Sequence, residues 1–285
     1  MANKGKYYES QFEEATIELL REAHWQYTLG DDIHRKYTDP LIEEDLRNFL
    51  AVQYKDKNLT TSEMDGIVAN LRNTGGQNDY YALRNAFLLY RDGYDFAYSD
   101  SRDNPFRMEY IDFEHPDHNI FRCVNQFVMG QGRENRRPDI LLFINGIPVC
   151  IIELKNPTKQ NATIRDAHTQ ICTRYMRDIP ALLKYCALAV ISDGAKNALG
   201  TTYTPFEFFY EWKKIENEDK AGKGLDTLRT LIRGALSPER ILEILRDYVY
   251  FPDPTKEDDT TEIVCRYPQF FATRKLREHI LNHLR

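Results

Sequence analysis

Two uninterrupted apolar stretches near the middle of the chain are separated by a short polar turn. Residues 140–144 and 149–152 are runs of mostly branched apolar residues, with Asn145-Gly146 and Pro148 between them. An Asn-Gly pair between two such runs predicts a β-hairpin. Because neither run alternates with polar residues, we predict that both strands are buried on both faces.

Segments before and after the predicted hairpin have apolar residues at helical spacing. Residues 9–24 carry an apolar stripe at helical spacing, and Glu9 and Glu13 lie at its edge. Other segments predicted to be helical are 39–56, 61–72, 79–92 and 162–176. Residues 186–192 predict a further buried strand, and 108–113 and 120–129 predict two more.

Charged residues directly precede the first predicted strand (Asp139) and directly follow the second (Glu153 and Lys155). A carboxylate buried at such a position is costly without a partner. Glu153 and Lys155 are two apart on an extended chain and share a face. A tight two-residue turn would pair Asp139 with Ile152 and place Asp139 on the other face. We therefore predict a bulge or a three-residue turn, with Gly146 at positive φ.

Two carboxylates and an ammonium on one face form a site for a hard divalent cation beside a phosphate. Mg²⁺ takes one or two carboxylates and fills its other positions with water and phosphate oxygens. Lys155 would orient or deprotonate the attacking water, or neutralise the phosphate. In the competing interpretation, Asp139 is a turn residue, and Glu153 and Lys155 form a solvated ion pair.

Three stretches resemble one protein family. They are Arg137-Pro-Asp-Ile-Leu-Leu-Phe-Ile-Asn-Gly-Ile-Pro, then Ile151-Ile-Glu-Leu-Lys-Asn-Pro, then a helix containing Gln170 and Tyr175. They resemble the N-terminal nuclease region of the R subunit (HsdR) of type I restriction enzymes, which has the PD-(D/E)xK nuclease arrangement. Weaker resemblance extends to residues 12–20 and to Tyr267-Pro-Gln-Phe-Phe-Ala.

The resemblance implies an α/β fold with a PD-(D/E)xK core, a mixed central sheet flanked by helices, and a helical insertion at about 39–92. Residues 1–250 would form the endonuclease domain, and 251–285 a linker and the start of a truncated, helicase-like motor domain. The implied metal ligands are the carboxylates of Asp139 and Glu153, the Leu154 carbonyl and a glutamate of the first helix, Glu9 or Glu13. Alternatively, Glu9 and Glu13 are first-turn acids favoured by the helix dipole.

Gln170 and Tyr175 depart from the family pattern. Related nucleases carry Gln-x-x-x-Tyr, whose amide and phenol support the phosphate or the catalytic lysine, whereas four residues intervene here. On a regular helix the two side chains would be about 140° apart instead of about 40°. Either the helix is irregular or only one of the two faces the site, and Tyr175 is equally well interpreted as a helix-surface residue.

The function implied by the resemblance is Mg²⁺-dependent cleavage of double-stranded DNA, with Mn²⁺ as a substitute. Cleavage would depend on ATP-driven translocation in a complex with modification and specificity subunits. The sequence contains no Gly-x-x-x-x-Gly-Lys-[Ser/Thr], so ATP is expected to bind only in the longer subunit. The alternatives are a repair or recombination nuclease of the same fold, and a non-catalytic module that docks DNA or partner subunits.

Composition adds further expectations. A net charge of -6 argues against a protein that simply coats nucleic acid. Residues 133–177 nevertheless contain eight basic and four acidic side chains, which predicts either a basic surface around the site or a solvated face. No apolar run approaches eighteen residues and no signal peptide is evident, so a cytoplasmic protein without membrane contact is expected.

A polar loop joins the two strands predicted at 108–113 and 120–129. Its sequence, Glu-His-Pro-Asp-His-Asn, contains His115, Asp117 and His118, residue types that can bind metals. An ordinary polar loop is the favoured interpretation. The five cysteines are widely spaced, and no two of them form a Cys-x-x-Cys motif. This spacing predicts reduced thiols and gives no indication of a cysteine zinc site.

Overall fold

The structure, a computed structural model, describes residues 2–100, 103–130, 135–155, 163–216, 222, 224–252 and 260–283, with side chains from Ser10 onward. The strands are β1 (Gln26–Leu29), β2 (Tyr94–Phe96), β3 (Phe106–Met108), β4 (Phe121–Asn125), β5 (Ile140–Ile144), β6 (Ile147–Leu154), β7 (Leu188–Ser192), β8 (Asn197–Gly200), β9 (Val249–Tyr250) and β10 (Ile263–Val264). In the described part of the chain, six of them form one sheet in the order β1-β4-β5-β6-β7-β8.

The central sheet is mixed. Strand β1 runs parallel to β4 and β6 runs parallel to β7, whereas the other neighbouring strands are antiparallel. Every residue of β5 and β6 is buried, which confirms the prediction from their uninterrupted apolar runs. The mixed sheet with helices on both faces also confirms the predicted fold class.

Helices cover both faces of the sheet. They are α1 (Ala2–Glu22), α2 (Glu43–Gln53), α3 (Thr61–Asn73), α4 (Asp79–Asp92), α5 (Ile164–Thr169), α6 (Met176–Asp178), α7 (Pro180–Leu183), α8 (Leu225–Leu231), α9 (Pro238–Asp247) and α10 (Tyr267–His283). Two π-helical turns, Gln170–Tyr175 and Ile232–Leu236, continue α5 and α8. Leu142 and Ile152 pack among α1–α4, α8 and α9, whereas Leu141 and Ile151 pack against the segment from α5 to α7.

The helices predicted between 39 and 92 are present as α2, α3 and α4, which lie in the chain between β1 and β4. The prediction was less accurate after them, because β3 ends at Met108 and the segment predicted as a strand to Phe113 does not continue it. The Asp112 carboxylate accepts hydrogen bonds from the N–H groups of Glu114 and His115, which turns the chain there.

The hairpin of β5 and β6 combines a tight turn with a bulge. Asn145 and Gly146 form a two-residue turn with φ of 51° and 77°. The pairing shifts between Leu142 and Phe143, so that Ile140 lies opposite Ile152. The predicted bulge and the positive φ of Gly146 are confirmed, and the shift places Asp139 on the face of Glu153.

The chain beyond Phe251 packs against the preceding residues. Strand β10 pairs with β9, and the buried Phe270 ring lies 5.5 Å from Trp212 and 5.0 Å from Tyr248 between ring centroids. Assignment of 251–285 to a linker and motor domain stays a prediction, as does a nuclease domain over 1–250. Residues 253–259, at the start of that predicted linker, lie outside the described residues. Within the described ranges, no helix combines the length and apolarity needed to cross a membrane.

Gly146→Ala tests the turn. A Cβ there would clash with the Ile42 carbonyl oxygen, and the positive φ disfavours any L side chain. We expect the free energy of unfolding to fall by at least about 2 kcal/mol, measured by urea denaturation. In the control Gly66→Ala, within α3, a Cβ meets nothing within 4 Å, so we expect a gain of about 0.5–1 kcal/mol. Equal effects of the two substitutions would contradict the strained turn.

Candidate active site

Asp139, Glu153 and Lys155 meet at one end of the central sheet, where β5 begins and β6 ends. The Leu154 N–H donates to the Asp139 carboxylate at 2.7 Å, which ties the two strand ends together. Lys155 Nζ donates to Glu153 Oε1 at 2.8 Å. The side chains of Glu153 and Lys155 are only 1% and 16% exposed, so the alternative of a solvated ion pair is wrong.

Gln170 and Tyr175 also face this site, because the helix is irregular between them. Residues 170–175 form a π-helix, whose i→i+5 repeat returns side chains five apart to one face. Gln170 Nε2 donates to the Tyr175 hydroxyl at 2.7 Å. Tyr175 is 2% exposed, so the interpretation of Tyr175 as a helix-surface residue is also wrong.

Four of these side chains form a closed ring of hydrogen bonds. Lys155 Nζ donates to Glu153 Oε1 and to Gln170 Oε1 at 2.7 Å. The Gln170 amide then donates to Tyr175, whose hydroxyl donates to Glu153 Oε2 at 3.2 Å. The ammonium has only donors and the carboxylate only acceptors, which fixes the orientation of the amide and phenol between them. The ring holds Lys155 and Glu153 in one geometry.

Asp139 is held in an environment that disfavours its charge. Burial and the nearby Glu153 carboxylate raise the pKa of Asp139 from 3.8 to about 8, although the Leu154 N–H and Lys155 oppose the change. Glu13 adds to the increase. A cation between the two carboxylates would relieve the repulsion that disfavours the charged form of Asp139. The site therefore has the charge pattern of a cation site.

Glu13 approaches the site from α1. Its Oε1 accepts hydrogen bonds from Asn125 Nδ2 at 2.7 Å and Gln126 Nε2 at 3.1 Å, just past the end of β4. The helix begins at Ala2, so Glu9 and Glu13 are not first-turn acids, and that alternative is wrong for both. The side chain of Glu9 lies outside the described residues.

Sequence reasoning missed Asn125 and Gln126. Gln126 has a left-handed φ of 55°, and its side chain both donates to Glu13 and accepts from Arg137 Nη1 at 2.9 Å. A non-glycine residue at positive φ beside a polar cluster indicates a constrained position. The available signal was two adjacent amide side chains in the predicted strand 120–129.

Several basic residues counted in the sequence are engaged in ion pairs. Arg136 and Arg177 both contact Asp178, with N–O distances of 2.6 Å. Arg137, Arg165 and Arg174 have exposed side chains, whereas Arg133 and Lys159 lie outside the described residues. The charge available to a polyanion in the described region is therefore smaller than the sequence count indicates.

Comparison with known proteins identifies the family. The family model described as the type I restriction enzyme R protein N terminus matches residues 6–208. The chain belongs to this family. Membership of the R protein N-terminal family agrees with the sequence resemblance and with the mixed, helix-flanked sheet.

Curated proteins similar to the chain are type I restriction enzyme endonuclease subunits. The HindI subunit of Haemophilus influenzae is 28% identical over 279 residues, which cover 94% of this chain and 26% of the relative. The MjaIXP subunit of Methanocaldococcus jannaschii is 27% identical over 287 residues, covering 92% and 27%. The EcoprrI subunit of Escherichia coli is 27% identical over 192 residues. The chain thus spans about a quarter of the length of the first two relatives.

The catalytic and metal-binding roles of Asp139, Glu153, Leu154, Lys155, Gln170, Tyr175 and the first-helix glutamates stay predictions. What the described residues provide is two carboxylates at adjoining strand ends beside a fixed ammonium. Oxygen-rich donor sets suit Mg²⁺ and Mn²⁺ better than softer ions.

Asp139→Asn tests the charge environment. The folded protein binds the Asp139 proton more tightly than the unfolded chain does, so the wild type loses stability as pH rises from about 4 to about 8. The variant lacks this acid, so its stability does not fall in the same way. We expect the free energy of unfolding of the variant minus that of the wild type to rise by at least about 2 kcal/mol between about pH 5 and about pH 8, because one pKa unit equals about 1.4 kcal/mol. Urea denaturation in EDTA measures the difference.

Asp166→Asn is the contrasting control. Hydrogen bonds from the Thr163 N–H and hydroxyl lower the pKa of the exposed Asp166 carboxyl, so its ionised form stabilises the folded state. That contribution is present above about pH 4 and disappears as pH falls. The relative stability of this variant therefore changes with the opposite sign and in the acidic range. A pH-independent difference for Asp139→Asn would show that Asp139 is not perturbed.

Proposed function

We propose that this chain is the Mg²⁺-dependent DNA endonuclease domain of the restriction subunit of a type I restriction-modification system. The observation that carries the proposal is the assembly of Asp139, Glu153 and Lys155 at one sheet end, in a protein of the R protein N-terminal family. Its substrate would be double-stranded DNA, and its reaction the hydrolysis of phosphodiester bonds.

Asp139 and Glu153 would hold the cation, with the Leu154 carbonyl as a further ligand and Glu13 or Glu9 as a third carboxylate. The fit is supported by the raised pKa of Asp139, since a cation between the carboxylates relieves the repulsion that disfavours its charge. Mn²⁺ would substitute for Mg²⁺. When bound, the metal supplies an activated water and stabilises charge on the phosphate.

Lys155 would orient the water or neutralise the phosphate in the transition state. Within the described residues, two of its three N–H donors are used by Glu153 and Gln170. The third is left for a water or a phosphate oxygen. Gln170 and Tyr175 would act as positioning residues, since they hold Lys155 and Glu153 rather than reach the reacting atoms themselves.

The wider activity would require parts of the protein and partners beyond this chain. Relatives about four times as long are named endonuclease subunits of type I restriction enzymes. We infer that cleavage is coupled to ATP-driven translocation by the longer subunit, in a cytoplasmic complex with modification and specificity subunits. The present chain is expected to cut DNA poorly by itself.

Metal binding tests the cation site. We expect calorimetry to detect Mg²⁺ or Mn²⁺ binding by the wild-type chain, with short duplex DNA added if phosphate ligands are needed. Asp139→Ala should lose this binding because it removes a ligand. The control Asp31→Ala, which removes an exposed acid on the loop after β1, should bind as wild type does. Equal binding by the Asp139→Ala and wild-type chains would exclude Asp139 as a ligand.

Lys155→Ala, introduced into the full restriction complex, tests catalysis. We expect DNA cleavage to fall at least about 100-fold while ATP hydrolysis is retained, because Lys155 would act at the phosphodiester and not in the ATPase part of the longer subunit. The control Lys213→Ala removes a lysine whose side chain is 54% exposed and should leave cleavage unchanged. Full cleavage by the Lys155→Ala complex would instead favour a non-catalytic docking module.

A further inference from the structure

A second cluster of metal-ligating side chains lies in the loop after β3, away from the candidate active site. It consists of Asp112, His115 and His118, whose ligand atoms all lie within 4.8 Å of one another. The Asp112 Oδ2 atom is 2.9 Å from His118 Nδ1 and 3.3 Å from His115 Nδ1. Both imidazoles therefore direct the same ring nitrogen at one carboxylate oxygen.

The Asp112 carboxylate is buried and held in place by its surroundings. Its Oδ1 accepts the N–H groups of Glu114 at 3.0 Å and His115 at 2.9 Å. Its own backbone N–H donates to Asn119 Oδ1, and its carbonyl accepts from the Asn119 amide. Metal-ligating carboxylates are commonly fixed by such outer hydrogen bonds. Oδ2 is consequently presented in one orientation.

Three side-chain nitrogens converge on Asp112 Oδ2. Gln53 Nε2 donates to it at 3.2 Å, and the two imidazole nitrogens also converge on it. A carboxylate oxygen has about two acceptor sites, so three nitrogens crowd this one atom. A cation bound by Oδ2 and by both Nδ1 atoms would satisfy the carboxylate and both rings at once.

The two histidines are accessible as well as close. His115 and His118 side chains are 63% and 48% exposed, and their rings stack with centroids 4.8 Å apart. The 3₁₀ turn Pro116–His118 brings both rings to the same side of Asp112. Exposed rings can adjust to an ion arriving from solvent, whereas the buried carboxylate keeps its position.

We propose that Asp112, His115 and His118 bind a divalent transition-metal ion of the zinc class, with solvent as the fourth ligand. Two imidazoles and one carboxylate are donors that Zn²⁺ accepts in tetrahedral sites, and they are a poor set for Mg²⁺. Metal–ligand distances near 2.0–2.1 Å put neighbouring donors about 3.3 Å apart. The two oxygen–nitrogen distances already lie near that value.

The chain directly after the proposed ligands is hydrogen-bonded to the turn of the β5–β6 hairpin. Asn119 Oδ1 accepts from Asn145 Nδ2 at 2.8 Å, and the Ile120 N–H donates to Asn145 Oδ1 at 2.8 Å. The turn and the candidate active site lie at opposite ends of β5, about 17 Å apart for five strand residues. The proposed metal site is therefore remote from the candidate active site, and its occupation is independent of the nuclease proposal.

The sequence motif pointed to the wrong acid. Asp117, between the two histidines in sequence, is not in the cluster, and Asp112 joins it instead. The ordinary polar loop favoured from the sequence becomes a metal site only because the chain turns at Asp112. A strand over residues 108–113, as the sequence predicts, would leave no turn at Asp112, so the sequence does not reveal this cluster.

Zinc titration of the 285-residue chain tests the proposal. The variant is His115→Ala/His118→Ala, in which the exposure of both rings favours retention of the fold. The matched control is His279→Ala/His283→Ala, because those rings lie 4.2 Å apart on α10 and offer a competing helical pair. Calorimetry with Zn²⁺, and the visible absorption of Co²⁺ in a tetrahedral site, report binding.

We expect the His279→Ala/His283→Ala control to keep one Zn²⁺ site. The His115→Ala/His118→Ala variant should lose more than about 100-fold in Zn²⁺ affinity, since loss of a residue that only hydrogen-bonds to a metal ligand already costs about 10–100-fold. Zn²⁺ should raise the Tm of the wild type and of Asp139→Ala, but not that of the His115→Ala/His118→Ala variant. Zinc binding that survives in that variant, disappears in the control or is absent from the folded wild type would overturn the proposal. Circular dichroism verifies folding.

Discussion

The burial of the Glu153 carboxylate in an otherwise apolar strand is the constraint on which the candidate site depends. A charge with 1% exposure must have partners, and they come from Lys155, directly after the same strand, and from Tyr175 on the opposite helix. Gln170 joins those two partners into a ring. The position of the helix over the sheet and the geometry of the site are therefore set by the same requirement.

Two local irregularities make this arrangement possible. The bulge in the hairpin brings Asp139 onto the face of Glu153, and the π-helix brings Tyr175 onto the face of Gln170. The bulge adds one residue to one strand of the ladder, and the π-helix adds one residue to a helical turn. Both disrupt the regular backbone hydrogen bonding locally. The irregularities lie on opposite sides of one site, which explains why both are needed for its side chains to meet.

The parts of the structure that follow from local periodicity could be predicted from the sequence. The uninterrupted runs predicted buried strands, and the parity of the turn required a bulge or a third turn residue. The five-residue spacing of Gln170 and Tyr175 left an irregular helix as one of two possibilities, and the structure shows the irregular helix. Contacts between distant segments could not be predicted. Glu13 meets Asn125 across 112 positions, and Asp112 meets Gln53 across 59. Such contacts depend on how the helices and strands pack against one another, and a short sequence pattern carries no information about that packing.

The hairpin bulge also limits how the chain can vary in length. Adding or removing one residue between Asp139 and Glu153 would exchange the two faces of one strand, separating the carboxylates and pointing buried side chains the wrong way. A change of two residues would restore both faces. We therefore expect the number of residues between Asp139 and Glu153 to vary among relatives only in steps of two. Selection would then act on whether this number is odd or even more than on which residues lie between them.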